Sequence, residues 1–218
     1  HGTKPAFVAT DVSDKSSVDA LVAQVCSDYP RIDILVNNAG ILIPRLLVDP
    51  AGQEELTEAI WDKVVTINMK GQFLCAQACA RAMIADGQGG VILMMNSESG
   101  MEGSEGQSAY AATKAAGYNM VRSWAKELGK QQVRMVGLAP GIMEATALRS
   151  EEYERALSYT RGISVEQLRE GYTKTSSIPL QRAGRLSEVG DLVCFLASDR
   201  ASYIHGTTVN ISGGKSRA

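Results

Sequence analysis

The stretch "DILVNNAG", Asp33 to Gly40, is an apolar run closed by two asparagines, an alanine and a glycine. Ile34, Leu35 and Val36 follow one another without a polar residue between them. Successive side chains of a strand point to opposite faces, so such a run reads as a strand covered on both, as in a parallel sheet. Working outward, "VILMMN" (Val91–Asn96) repeats the pattern, and "QVRMVGLAPG" (Gln132–Gly141) repeats it again before a Pro-Gly stop. "TTVNISGG", from Thr207, supplies a last strand, and "AFVATDVS", ending near Asp11, a short first one. Between them lie helical patterns. Val18, Leu21, Val22 and Val25 recur at helical spacing over Asp14–Asp28, a long helix runs from about Thr57 to Ala85, and a third ends near Gly129. "GQGG" (Gly87–Gly90) precedes a strand instead of opening a helix, so it reads as a turn and not as a phosphate loop. A polar, Arg-rich stretch, about Ile142 to Arg185, carries short helical signals such as "SVEQLREG", and a closing helix spans about Ser187–Ser198. Strands alternating with helices give an α/β fold, a parallel sheet with helices on both faces.

The composition narrows the function classes. The chain has 218 residues, 44% of them hydrophobic and 21% charged, and a net charge of −2. That length fits one domain with a sizeable core. The charge offers no footprint for nucleic acid, and no apolar run approaches the ~20 residues of a membrane span. Cys26, Cys75, Cys79 and Cys194 form no C-x-x-C, and only His1 and His205 could add imidazole, so no metal site is expected. The cysteines read as buried free thiols in a reducing, cytoplasmic setting.

In open parallel sheets ligands gather beyond the carboxyl ends of the strands, and the unusual residues fall there: Asn37–Gly40, Asn96–Gly100 and Pro140-Gly141. Tyr110 and Lys114, in "SAYAATKAAG", stand one helical turn apart among small residues. Such a pair on an Ala-rich helix is common by itself. Ser97, thirteen residues before Tyr110, closes a strand that can face the same side of that helix. Asn68 sits inside the long helix, a poor place for Asn on propensity grounds.

In order and spacing, "NNAG", Asn68, Ser97, "YAATK", Pro140-Gly141 and a terminal "SGG" resemble the short-chain dehydrogenase/reductase family along the whole chain. The resemblance implies a three-layer, Rossmann-like doubly wound parallel sheet and hydride transfer between an alcohol or ketone and a nicotinamide cofactor. "SESGMEGSEGQSAYAATKAA", "RSWAKELGK", "EEYERALSYTRGISVEQLREGYTKTSSIPL" and "DLVCFLASDRASYIHG" look like members that interconvert a phosphorylated sugar alcohol and its ketose with NAD. NADP is not excluded. A free tyrosine, with pKa ~10, lies about three units too high to be half ionised at pH 7, and a nearby Lys114 ammonium favours its phenolate.

By the same resemblance Tyr110 is the base and Lys114 also holds the nicotinamide ribose. Ser97 bonds the reacting oxygen, and Asn68 holds a water linking Lys114 to solvent. Asn38, Ala39 and Gly40 line the ribose, Asp11 and Val12 contact the adenine, and Pro140, Gly141 and Ile142 receive the carboxamide. The family usually places a Thr five residues after the Pro; that position is Ala145 here, so the role passes to Thr146. Glu98 and Glu144 flank the site as candidates for sugar hydroxyls. Arg149, Arg155, Arg161, Arg169 and Lys174 lie on the expected substrate lid, without a ranking among them. A homo-oligomer, dimer or tetramer, is expected through the Asn68 and Tyr110 helices.

One part of the family pattern is missing. No G-x-x-x-G-x-G precedes "NNAG", and the chain opens at His1 without an initiator Met or a leader segment. The expectation is a single, N-terminally incomplete domain over residues 1–218. Roughly 40–50 residues, a little more than one βαβ unit, would lie upstream. The strand near Val8 would then sit at an edge, with two absent strands between it and "ILVNN" and the unpaired edges of both exposed, and dinucleotide would bind poorly. Two alternatives stay open. One is an NADPH-dependent keto-acyl or sugar reductase of the same family, and the other a catalytically silent scaffold.

Overall fold

Four parallel strands in chain order, β1-β2-β3-β4, carry the molecule in the computed structural model, which describes residues 5–173 and 177–216. The strands are β1 (Ile34–Asn37), β2 (Gly90–Met95), β3 (Val133–Pro140) and β4 (Thr207–Ile211). The register pairs Ile34 with Val91, Gly90 with Val133 and Val136 with Thr207. Helix α1 (Lys15–Asp28) starts where the Asp14 side chain accepts the Ser16 N–H. Helix α2 (Glu58–Val65) starts at a Thr57 cap and runs through one π turn (Thr66–Lys70) into α3 (Gly71–Asp86), which Gly87 ends in the left-handed region at φ 75°. A short helix α4 (Ser99–Glu102) precedes the long α5 (Ser108–Leu128). After β3 come α6 (Glu151–Thr160) and α7 (Val165–Thr173), then α8 (Leu186–Ala197) before β4.

The strand alternation sorts the core into two layers. Ile92 and Met94 of β2, with Val133 and Met135 of β3, pack against Ala76, Cys79 and Met83 of α3 and Val121 and Ala125 of α5. The intervening Val91, Leu93, Val136 and Leu138 pack on the other face, against Leu196 of α8 and Ala201. That is the three-layer arrangement, and its covered faces explain the unbroken apolar runs of β2 and β3.

Among the described residues β1 is an edge strand, as the missing strands imply. Three expectations change. β1 is not covered on both faces, and Ile34 and Val36 are 48% and 40% exposed. They point to the side covered by α8 at β2 and β3, and α8 does not reach them. "AFVATDVS" forms no strand, because no neighbour stands beside it to complete a ladder, and Phe7 lies 91% exposed. Of the cysteines, Cys75 and Cys79 are buried but Cys26 and Cys194 are exposed. Burial pushes the Cys79 thiol up to about 12, so it is inert at neutral pH. Among the described residues no cluster could hold a metal ion, and no helix is long and apolar enough to cross a membrane.

Candidate active site

Lys114 is buried on α5, 5% exposed, with its ammonium donating to the Met95 carbonyl at 2.5 Å, at the end of β2. Helix α5 holds it there because α4 presses onto it at Gly100. A Cβ on that glycine would lie 2.7 Å from the Ala115 nitrogen, so only glycine permits the approach. The same approach brings Ser97, just before α4, against Tyr110, one turn ahead of Lys114, and the two side chains share a hydrogen bond. The Ser97 hydroxyl also accepts from Ser99 Oγ at 3.0 Å and from the Ser99 N–H at 3.3 Å, while Tyr118 donates to the Ser97 carbonyl at 3.1 Å. Ser97 is therefore fixed from three directions before any substrate arrives.

The electrostatics depart from expectation. Burial pushes the Tyr110 phenol up, and only the Ser97 bond opposes it. Burial also brings Lys114 down to about 8. The ammonium, 5.5 Å from the centre of the Tyr110 ring, does not by itself overcome the desolvation of the phenol. Among the described residues Lys114 has one partner, the Met95 carbonyl, so two of its three donors stay open.

Asn68 occupies the π turn and is 1% exposed. Its amide pairs with the Ile41 backbone on both sides, accepting from the N–H and donating to the C=O at 2.8 Å each. A longer contact, 3.4 Å, reaches Thr113 Oγ1, which itself donates to the Tyr110 carbonyl at 2.7 Å. Asn68 thus ties the loop after β1 to the Tyr110 helix. The π turn is a common signature of functional sites because it rotates a side chain off the helical register. Asn37, the first residue of "NNAG", anchors the same loop from below by donating to the Gln72 carbonyl at 2.7 Å. Asn38 and Ala39 remain exposed and Gly40 half-buried, their backbone open at the end of β1.

Elsewhere the structure separates the expected residues. Pro140, Gly141 and Ile142 lie at the end of β3, half-buried, with Gly141 donating to the Ile211 carbonyl at 2.9 Å. Val12 packs against Gly71 at the start of α3, three residues from Asn68, whereas the Asp11 carboxylate is exposed and accepts from Ser13 at 2.6 and 2.9 Å. Thr146 is exposed, with its hydroxyl accepting from the Leu148 N–H. Glu144 is exposed, and one of its oxygens accepts the Leu186 N–H at 2.7 Å, holding the start of α8. Glu98 is bound to Lys215 at 2.8 Å, and its second oxygen is buried without a partner beside Gly141. Lys174 lies outside the described residues.

Sequence reasoning missed Ser99, Tyr118 and Gln107. The Gln107 amide, one residue before α5, donates to Tyr153 of α6 at 3.0 Å and draws the lid toward Tyr110. Tyr118 lies four residues after Lys114, at helical spacing, which was the available signal for it; Ser99, two residues after Ser97, carried none.

Several known proteins are similar to this chain in sequence and fold. A family model described as enoyl-(acyl carrier protein) reductase matches residues 1–216. The sorbitol-6-phosphate 2-dehydrogenase of Klebsiella pneumoniae is 57% identical over 100% of this chain and 82% of its own length. The 3-oxoacyl-[acyl-carrier-protein] reductase of Thermotoga maritima is 37% identical over 94% of this chain and 74% of its own. Among solved structures, levodione reductase superposes with a TM-score of 0.80 at 32% identity, covering 94% of this chain and 75% of its own.

Proposed function

Because this chain belongs to the short-chain dehydrogenase/reductase family, we propose that it transfers hydride between NAD(H) and the pair sorbitol 6-phosphate and fructose 6-phosphate. The observation that carries the reading is the 57% identity to the Klebsiella enzyme across the whole chain. The half-buried Ser97 and Tyr110, with the buried Lys114 and Asn68, support the chemistry.

The residues present fit the nicotinamide and ribose half of the cofactor. Two open donors on the buried Lys114 suit a pair of ribose hydroxyls, beside the open backbone of Asn38–Gly40. Pro140, Gly141 and Ile142 would receive the carboxamide, with Thr146 beside them, and Asp11 and Val12 would approach the adenine. Bound NAD(H) supplies or accepts the hydride. Tyr110 takes the alcohol proton in oxidation and returns it in reduction. The Lys114 ammonium, charged at pH 7, favours the phenolate and works with Ser97 against the burial of the phenol. Ser97 holds the reacting oxygen in place, pre-aimed by Ser99 and Tyr118. With the Asn68 amide committed to Ile41, a water relay from Lys114 would run through the Asn68 backbone carbonyl. A cytoplasmic homo-oligomer working on a small sugar phosphate completes the reading.

The 37% identity to an acyl-carrier-protein reductase favours a second reading, a keto-acyl reductase. The full-length protein is assayed for NADH and NADPH oxidation with fructose 6-phosphate, fructose and acetoacetyl-CoA. Preferred turnover of fructose 6-phosphate with NADH is expected. No preference for the phosphorylated sugar would sink the substrate assignment, and turnover of acetoacetyl-CoA with NADPH would establish the second reading.

A further inference from the structure

The cations of the α6–α7 lid separate into spent and unspent ones. Arg169 is bonded to Glu154 through Nε and Nη2 at 2.8 Å each, and Arg182 to Glu188 through both ends of its fork. Arg155 is exposed on α6. Arg149 and Arg161 differ from all of these. Both are half-buried, and neither pairs with a carboxylate among the described residues. The Arg149 guanidinium lies 3.9 Å over the Tyr172 ring and donates to the Met143 carbonyl at 2.6 Å. Arg161 makes one long bond, 3.4 Å, to Ser104 Oγ. A guanidinium carries five donors, so most of this capacity is unused among the described residues. A partly desolvated cation without a counter-ion is costly to keep unless an anion arrives to meet it.

Their position links them to the chemistry. Helix α6 lies along Ser104–Gln107, the segment that leads into the Tyr110 helix. Tyr153 takes the Gln107 bond at one point, Thr160 packs on Gly106, and Arg161 reaches Ser104. Tyr172, on α7, sits between Tyr153 and the two arginines. Arg149 covers its ring face, and both arginines favour ionisation of its phenol, which burial holds up at about 12. That hydroxyl is buried without a well-formed hydrogen bond. From Gln107, next to the Tyr110 helix, the contacts run through Tyr153 of α6 to the lid, where Arg149 on Tyr172 and Arg161 on Ser104 have no carboxylate among the described residues.

We infer that Arg149 and Arg161 form the phosphate-holding end of the substrate cleft, clasping a phosphomonoester dianion with the Tyr172 hydroxyl as a third donor. A ketose phosphate carries its carbonyl and its phosphate at separate points of one chain, matching a cleft with a base at one end and a forked cationic clamp at the other. The assignment rests on the sugar-phosphate reading above.

The test compares full-length wild type with Arg149→Gln, Arg161→Gln, the double variant and Arg155→Gln. The readout is kcat/KM for fructose 6-phosphate divided by kcat/KM for fructose, together with the inhibition constant of inorganic phosphate. Each single variant is expected to lower the ratio about 10–100-fold, mainly through KM, and to weaken phosphate inhibition in parallel, as for a lost charge-assisted bond. Arg155→Gln should change neither by more than about 3-fold. Thermal melts separate misfolding from lost binding, and phosphate inhibition is read on whichever single variant melts like wild type. A wild type that prefers the phosphorylated sugar, with variants that keep that preference, would overturn the arginine assignment and leave the sugar-phosphate reading standing. A wild type without the preference would overturn both.

Discussion

At the residue scale, Lys114 is held at a cost. Its pKa falls from 10.5 to about 8 on burial, so between these values the unfolded chain binds more protons than the folded one. Stability from this group therefore rises as pH climbs from about 8 to 10.5, and the full penalty applies below 8. The penalty is roughly 3 kcal/mol, of which a Met replacement recovers part, since the Met95 carbonyl then loses its donor at a cost of about 1–2 kcal/mol. Lys114→Met should melt a few degrees higher than wild type at pH 7, and the gap should shrink and then reverse toward pH 10.5. Melting curves at both pH values check this, and a gap that does not move with pH would refute the buried-ammonium reading. Tyr110→Phe removes one hydroxyl and should cut kcat at least ~100-fold, the span expected for a lost general base, with little change in melting temperature. Near-normal turnover in that variant would assign the proton transfer to another group.

At the element scale, the π turn determines where Asn68 points. Asn68→Ala leaves both the N–H and the C=O of Ile41 without partners in a buried place, at about 2–4 kcal/mol. A melting temperature lower by roughly 4–15 °C is expected for a chain of this size, together with weaker dinucleotide binding as the loop after β1 loosens. An unchanged melt with unchanged NADH affinity would show that Asn68 does not anchor that loop. The turn also marks a limit of the sequence. Residues 57–86 read as one helix because the apolar positions keep helical spacing through it. The slip of one hydrogen bond at Thr66–Lys70 alters no side-chain pattern enough to be seen. Asn68 was visible only as a residue in an unfavoured place. Ser97, Tyr110 and Lys114 were legible because their spacing is local. The Ser97 supports and the Gln107–Tyr153 bond were not, because they depend on which helix face meets which loop. Arg149 and Arg161 could not be told from Arg169 without seeing which of them had found a carboxylate.

At the scale of the whole molecule, the sheet is unevenly covered. The apolar run in β1 signalled a strand with two buried faces, and Leu35 does pack toward α3 and α1. Its neighbours on the other face, Ile34 and Val36, share register with Val91 and Leu93, which α8 buries. Sequence pattern reports what a strand requires and not which helix reaches it. With one ladder edge unpaired among the described residues and two large apolar side chains exposed, β1 is the part of the 1–218 polypeptide most prone to contact with a further strand or another chain. Val36→Lys tests this in the polypeptide of residues 1–218. If the face is open to water, the change should cost less than about 0.5 kcal/mol, or about 1–2 °C, because the ammonium stays hydrated. It should also reduce any self-association seen by sedimentation velocity at high concentration, since a charge now stands on the edge. A loss of several kcal/mol would instead mean that Val36 is covered in solution, since a buried unpaired ammonium is that expensive. Repeating the measurement across a hundredfold range of concentration then identifies the cover. A cost that grows with concentration belongs to a second copy of the chain, and one that does not belongs to the fold of the monomer itself.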